Sequence, residues 1–536
     1  MHQKWLTTRR LTLALLAVAI VAGTAGCASG SGATPGPTPT PAPTPTPNPT
    51  PTVGSILPSN APAGALAFTL TVNGSNFLSS SIVEWGGSSR TTTFVSSSQL
   101  KANIGAADLA SGGKVAVTVV NPAPGGGTSG AATFTVAAAT ITFQSSRALD
   151  GSDAANTNSV ANVWLVNPDG TGTAALTKLT STFASSFNPV WSADGSKIAS
   201  AAGRALDGTD ADNTNGTRNV WEVNSDGSGA THLTGLTASG TSVDFPVWSP
   251  DGSKIAFQSA RNLDGSDSLS PNFIINIWVV NSDGSGSATA LTKTTLNGTS
   301  NESPVWSPDG SKIVFASARK LDGSDAVNTN GTKNIWLMNA NGSGITPLTK
   351  LTAVGADSDV PSWTADGSKV VFQSGRALDG SDAVNTHGTG NVWLINADGS
   401  GATALTKLTN SVFESVGNAK ASPDGNKIVF ASARALDGSD ALNTNSTQNI
   451  WVVNADGSSP TPLTKLTAAG AGSLAPVWSP GGTQVFFSSQ RALDGTDAAN
   501  ANTTRNIWVV NADGSGAAPL TKLTAAGAGS DVPNQP

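Results

Sequence analysis

The chain has 536 residues, 59 of them glycine and none tyrosine, with 12% charged residues and a formal net charge of −6. That length accommodates two or three domains with sizeable cores, and Ser, Thr, Asn and Gly in place of Glu, Lys and Leu favour strands and turns. No basic stripe exists to neutralise phosphates, so nucleic acid is not an expected partner, and three scattered histidines, His2, His232 and His387, leave little material for a His-based zinc or triad site.

Lys4, Arg9 and Arg10 precede an apolar run from Leu11 to Gly23. The run is too short to span a hydrocarbon core of about 30 Å as a helix, and it reads as an export signal. Thr24-Ala25-Gly26-Cys27 follows, and Cys27 is the only cysteine in the chain. A lone cysteine in an exported protein has no disulfide partner and calls for another role. The segment resembles the lipobox of bacterial lipoproteins, with Thr24 where that family usually has Leu. The resemblance implies that residues 1–27 are a signal peptide, that Cys27 becomes a lipid-bearing amino terminus, and that the protein is anchored to the cell envelope. Ala28, rather than Asp, after the cysteine implies the outer membrane. Residues 28–52 are a spacer in which Thr34 to Thr52 alternate Pro and Thr. Proline fixes φ and removes a donor, so this stretch is expected to be an extended tether without a core.

From residue 53 to residue 137 the texture is that of half-buried strands. Phe68, Leu70 and Val72 alternate with Thr69 and Thr71, and Val115, Val117 and Val119 alternate likewise. Asn73-Gly74 and Gly86-Gly87 are expected turns. The segments Gly74-Ser75-Asn76-Phe77, Val83-Glu84-Trp85-Gly86-Gly87 and Val119-Val120-Asn121-Pro122 resemble an IPT/TIG domain, an immunoglobulin-like sandwich. The resemblance implies a spacer or adhesive module, with Trp85 in its core.

Residues 138–536 are repetitive. Asn-Ile/Val-Trp recurs with Trp at 164, 221, 278, 336, 393, 451 and 508, at intervals of 57 or 58 residues. Arg-x-Leu-Asp-Gly begins 17 residues before each Trp, at Arg147, Arg204, Arg261, Arg319, Arg376, Arg434 and Arg491. A third motif, Pro-Val-Trp-Ser-Pro-Asp-Gly, stands at Pro246 and Pro304, with variants at Pro189, Pro361 and Pro476 and a degraded copy near Ala419. One unit parses into four strands: Pro304–Ser307, Lys312–Ala316, Asn334–Asn339 and Thr346–Leu351. Four antiparallel strands per repeat make a propeller blade, and blades arranged about an axis bury both of their faces. The Trp-Ser-Pro-Asp-Gly-Ser-Lys-Ile signature resembles the WD40-like (PD40) repeats of the TolB family. That family's repeats are usually shorter between the second and third strands than these.

The expected fold is therefore all-β: an immunoglobulin-like (IPT/TIG) sandwich followed by a seven-bladed TolB-like β-propeller, with six blades as the alternative. The first copy begins with a second strand, at Ile141-Thr142-Phe143. The chain ends Ser530-Asp531-Val532-Pro533, like Ser358-Asp359-Val360-Pro361 ahead of a first strand. The carboxy terminus is thus expected to supply the missing strand and close the ring, removing two open sheet edges.

The inserted loop offers the one recurring set of polar side chains. In the fourth copy Asp322, Asp325, Asn328 and Asn330 present hard oxygen donors, with equivalents at Asp207, Asp210, Asp437 and Asp440. Calcium takes six to eight such oxygens. Asp and Asn also cap turns, and the third copy, Leu269-Ser270-Pro271, lacks the Asn pair. Both readings, calcium and turn capping, stand at this level. The repeated Arg either pairs with a neighbouring Asp or joins a ring of arginines that binds an anion. No Gly-x-Ser-x-Gly elbow or P-loop occurs, and no catalytic residue is assigned. The expected function is a non-catalytic, monomeric envelope scaffold for a protein or glycan partner, without a cofactor unless calcium fills the loops. The alternative is a polysaccharide lyase or hydrolase with a metal in the propeller channel.

Overall fold

A computed structural model of the protein describes residues 46–409, 417–439 and 441–535. Cys27, Asp440 and the signal segment lie outside the described residues, as does nearly all of the tether.

The first domain is a two-sheet sandwich. One sheet orders Thr52–Leu57, Phe68–Ser75, Gln99–Ile104 and Thr92–Ser96. The other runs Asn60–Pro62, Ala132–Ala137, Gly113–Asn121, Ile82–Trp85 and Ser88–Ser89. The inward half of each alternating strand makes the core: Leu70, Val72, Leu100, Val117 and Val119 are fully buried. Trp85 lies against Phe134 with ring centroids 4.7 Å apart, so it is a core residue. Gly86-Gly87 forms the expected turn, both residues having positive φ. Asn73-Gly74 does not turn. It continues the strand Phe68–Ser75 past a bulge in its partner, and a Cβ on Gly74 would lie 1.9 Å from the Thr52 carbonyl oxygen. This glycine is required by the close approach of a neighbouring backbone.

Seven four-stranded antiparallel sheets follow, one per repeat. Blade 4 comprises Asn301–Trp306, Lys312–Ser317, Asn334–Asn339 and Thr346–Pro347, from inside outward. Blades 2, 3, 5, 6 and 7 repeat this order, with inner strands Ser186–Trp191, Val243–Trp248, Ser358–Trp363, Gly417–Ala421 and Ser473–Trp478. Each inner strand contacts those of both neighbouring blades, and the circuit closes. Blade 1 takes its inner strand from the carboxy terminus: Ser530–Asn534 pairs with Ile141–Ser145, which pairs in turn with Asn162–Val166.

Two features depart from the parse of one repeat. The inner strand begins three residues earlier, at Asn301, and bulges before Val305. The outer strand is only two residues long. Beyond Pro347, the N–H groups of Leu348 and Thr349 converge on one acceptor, the Ile335 carbonyl, so the ladder ends there.

Between blades the packing is apolar. Phe315 opposes Trp336 across the second and third strands of blade 4, and the same Phe–Trp pair stands in every blade except blade 2, where Ser200 replaces Phe. Trp278, Trp336, Trp393, Trp451 and Trp508 are all at most 1% exposed. Each contributes about 1.5–3 kcal/mol or more through burial. Inner-strand tryptophans also join blades: the indoles of Trp248, Trp363 and Trp478 donate to the carbonyls of Val190, Val305 and Lys420 in the preceding blade.

Candidate functional site: the loop-bearing end of the propeller

Every second-to-third-strand connection carries the inserted loop, and all seven emerge at the end of the ring where the inner strands begin. Each loop is anchored by its arginine. The guanidinium lies over the Trp of its own blade, with its carbon 4.5–5.3 Å from the ring centroid. Its Nη2 donates to the Gly carbonyl four residues on, at 2.5–2.6 Å in Arg147, Arg261, Arg319 and Arg491, and also in Arg204, Arg376 and Arg434. Each arginine thus holds a ring face and a carbonyl, with loop carboxylates near enough to act on it electrostatically, as Asp325 and Asp322 do on Arg319. Burial lowers the Arg319 pKa from its ordinary value, opposed by the nearby carboxylates of Asp325 and Asp322.

The two aspartates of each loop do different work. The first caps its own turn. Asp322 accepts from the Ser324 N–H and hydroxyl at 2.9 and 2.6 Å and pairs with Lys320. Asp207 accepts likewise from Thr209, and Asp437 from the Ser439 N–H. The second reaches across to the segment joining its blade to the one before. Asp325 accepts from the Thr295 N–H at 2.9 Å, the Thr295 hydroxyl at 2.5 Å and the Leu296 N–H at 3.4 Å. Asp210 holds Thr180 and Ser181, Asp267 holds Thr237 and Ala238, Asp382 holds Thr352 and Ala353, and Asp497 holds Thr467 and Ala468. At the seam Asp153 holds Thr524 and Ala525, joining the first blade to the last. Burial raises the Asp325 pKa, but hydrogen bonds from Thr295 and Leu296 outweigh it and the carboxyl sits below its ordinary value.

The asparagines complete the network. The buried Asn328 amide donates to the Thr332 carbonyl at 3.0 Å and the Leu351 carbonyl at 2.7 Å. Asn330, at φ 58°, donates to the Thr352 carbonyl at 3.0 Å. Asn tolerates this left-handed conformation better than most residues. In blade 3 Ser270 replaces the first Asn and its hydroxyl donates to the Ile274 carbonyl, so part of the bonding survives. The four residues of the calcium expectation, Asp322, Asp325, Asn328 and Asn330, are therefore spread over three local tasks. Among the described residues no group of three or more His, Cys, Asp or Glu side chains converges.

Two features of this end were not anticipated. Around the inner strands run ion pairs: between blades, Arg218 with Asp244 at 2.7 Å, Lys333 with Asp359 at 3.3 Å and Arg505 with Asp531 at 2.5 Å, and within blade 4, Lys333 with Glu302 at 2.7 Å. The second is apolar. Among the described residues of the propeller the exposed large hydrophobics are Phe183, Phe273, Leu296, Val327, Val354, Val384 and Leu442, all in loops or connections at the loop-bearing end, and Phe245, at the bulge of an inner strand. At the positions of Val327, Val384 and Leu442, blades 1 and 7 carry Ala155 and Ala499. The signal for both features was variation among otherwise uniform repeats.

Residues 51–136 match the family model of the IPT/TIG domain. The sandwich is an IPT/TIG domain. No curated protein matches the chain. Similar solved structures include TolB from Acinetobacter baumannii, at 15% identity over 74% of this chain and 82% of that one, with a TM-score of 0.38. An oligogalacturonate lyase from Vibrio parahaemolyticus shares 13% identity over 75% of this chain and 97% of that one, with a TM-score of 0.45. The β-propeller domain of the Trilobed protease from Pyrococcus furiosus shares 10% identity over 77% and 95%, with a TM-score of 0.44. Among the described residues no helix is long and apolar enough to cross a membrane.

Proposed function

We propose that the protein is a non-catalytic binding scaffold of the bacterial cell envelope, exported and lipid-anchored through Cys27. Its propeller engages a protein or glycan partner through the loop-bearing end. One observation carries this reading: seven large apolar side chains are exposed at that end, and the single other one on the described propeller, Phe245, stands on an inner strand. Exposed apolar groups that cluster on one face, rimmed by polar loops, are a common mark of an interaction surface. The carboxylates of the described inner strands, Asp244, Glu302, Asp359 and Asp531, are engaged in ion pairs, and those of Asp244, Asp359 and Asp531 join neighbouring blades.

The test is a triple variant, Phe183→Glu, Phe273→Glu and Val354→Glu, in the purified protein. Binding to detergent-solubilised envelope fractions and to envelope polysaccharide is expected to fall at least tenfold while the melting temperature stays near that of the parent. Retained binding removes the apolar end from the account. Release of new reducing or unsaturated sugar ends by the parent protein overturns the non-catalytic reading.

A further inference from the structure

Closing the ring with the carboxy terminus has a consequence at the opposite end. In blades 2 to 7 a Ser/Thr-x-Asp/Gly-Gly hairpin joins the first and second strands. Blade 1 has no such hairpin, because its inner strand, Ser530–Asn534, ends the chain and its second strand is entered from the sandwich. A gap therefore separates the hairpin of blade 7 from that of blade 2. The sandwich enters here on a short link, since its last strand ends at Ala137 and the blade begins at Ile141.

The repeats show that blade 7 is fitted to this neighbour. Five hairpins carry an aspartate at the turn: Asp194, Asp251, Asp309, Asp366 and Asp424. Each accepts from the N–H two residues on and from the hydroxyl two residues back, as Asp309 does from Ser311 at 3.0 Å and Ser307 at 2.6 Å. Blade 7 alone has glycine there, Gly481, and so forgoes a cap. Its φ lies outside the left-handed region, so the backbone does not demand glycine. A Cβ on Gly481 would lie 2.5 Å from the carbonyl oxygen of Gly64 in the sandwich, closer than such contacts occur. On the far side, Asn60, Lys114 and Thr135 of the sandwich face Asp194 and Lys197 of blade 2 and Trp248 of blade 3 across a cleft of about 430 Å³. Trp248 is half-buried, whereas Trp191, Trp306, Trp363 and Trp478 are 7–8% exposed.

We infer that the IPT/TIG sandwich is seated in the gap left by the closing blade, with Gly481 as its contact. Sandwich and propeller then form one rigid body. The sandwich occupies the hairpin end of the ring, and the loop-bearing end is the one that the described chain leaves uncovered. Nothing in this depends on what the loop-bearing end binds.

The test restores the repeat consensus with Gly481→Asp in the full-length protein. Blade 7 tolerates this residue by analogy with Asp424, but the carboxylate meets the Gly64 carbonyl and expels the sandwich. Small-angle scattering is expected to show a larger radius of gyration. Elastase nicking at the Ala137–Ala139 link is expected to accelerate roughly tenfold or more, in keeping with an overpacking clash. Asp424→Gly, which removes the same cap in blade 6, is expected to leave both readouts unchanged. A second arm leaves the contact intact: zero-length carbodiimide coupling of the parent protein is expected to join Lys114 of the sandwich to Asp194 or Asp251 of the propeller, which line the same cleft. Unchanged scattering and nicking in Gly481→Asp overturn the inference. So does the absence of that cross-link in the parent protein, which decides the matter even should Gly481→Asp not fold.

Discussion

Replacing Asp153 by alanine probes the weakest joint of the ring. The Asp153 carboxylate accepts from the Thr524 and Ala525 N–H groups, both at 2.9 Å, and from the Thr524 hydroxyl. These partners lie 371 and 372 residues away, whereas the matching contact of Asp325 with Thr295 spans 30. Because loop-closure entropy grows logarithmically with length, holding the seam together costs about 2 kcal/mol more than holding an interior joint. The seam is also held by the ladder of Ser530–Asn534 on Ile141–Ser145 and by the Ser145 hydroxyl, which donates to the Ala528 carbonyl at 3.2 Å. Ser530 donates to Ser145 at 3.1 Å, the Ser146 N–H donates to the Gly529 carbonyl at 3.2 Å, and Arg505 pairs with Asp531. A hydrogen bond to a charged acceptor contributes about 1.5–3 kcal/mol when buried, and these are solvent-exposed, so the set at Asp153 is expected to contribute about 1–3 kcal/mol in all. Asp153→Ala should therefore raise amide exchange in residues 141–145 and 530–534 roughly 5- to 150-fold, with blades 3 to 5 at parent rates. Asp325→Ala should leave the seam protected. Equal exchange at the seam in Asp153→Ala and the parent would refute the reasoning, because closure would then not depend on the carboxylate.

The other predictions concern the same network. Arg319→Ala removes the guanidinium from over Trp336 and its bond to Gly323, and is expected to cost about 2–4 kcal/mol, read as a lower urea midpoint and a changed near-UV tryptophan signal. Asn449→Ala leaves the Leu466 N–H and the Thr464 hydroxyl without their buried acceptor, while the Leu466 carbonyl keeps the Asn443 amide, at a cost of about 2–4 kcal/mol in the same assay. Asp153, Asp210, Asp325, Asp382 and Asp497 all titrate below their ordinary value in the fold, chiefly because N–H and hydroxyl donors favour the carboxylate over the effect of burial. Their contribution is thus complete above about pH 5 and is lost as pH falls further through the folded-state values, so the urea midpoint should hold from neutrality to about pH 5 and drop below it. A flat midpoint down to about pH 3 would show that the latches contribute nothing. Melting is expected to be unchanged by millimolar calcium or by chelator, since the loop carboxylates already accept from N–H and hydroxyl donors. A calcium-dependent rise in melting temperature would show that the ion displaces those bonds.

Most of the architecture is legible in the sequence because it repeats. The tryptophan spacing, the Pro-Asp-Gly turns and the strand-like Asn-Ile-Trp-Val-Val-Asn runs give the blades and their number, and the orphan Ser530–Pro533 gives the closure. The loops are harder to read. Asp322 and Asp325 look alike in sequence, three residues apart, yet one caps its own turn and the other holds the preceding blade. The partner of the second is fixed by how blades stack, which no local pattern records. Asn73-Gly74 misleads for a related reason: the glycine answers to a carbonyl, that of Thr52, arriving from another strand. Arg319 reads as the natural partner of its neighbouring carboxylates, but the side chain is long enough to reach the Trp336 face, where it covers a buried ring and still donates to Gly323.

Near-identical repeats raise the question of how each blade finds its proper neighbour. The Asp-to-Thr latch cannot specify this, because it is nearly the same at every described joint. Proximity supplies the answer in the interior, where partners 30 residues apart pair more readily than any alternative further along the chain. The residues that differ between repeats add a second layer. Inter-blade ion pairs join blades 2 and 3 through Arg218–Asp244, blades 4 and 5 through Lys333–Asp359, and blades 7 and 1 through Arg505–Asp531. At the seam, where proximity gives no help, the Arg505–Asp531 pair stands beside a latch, Asp153, and a hydroxyl bridge, Ser145–Ser530. Individually such exposed pairs are worth little, yet a mismatched blade with Phe187, Gly417 or Leu474 at the acidic position would leave the cation without a carboxylate. The least repetitive side chains of the inner strands thus serve to set the order of the ring, while the repeated ones hold it.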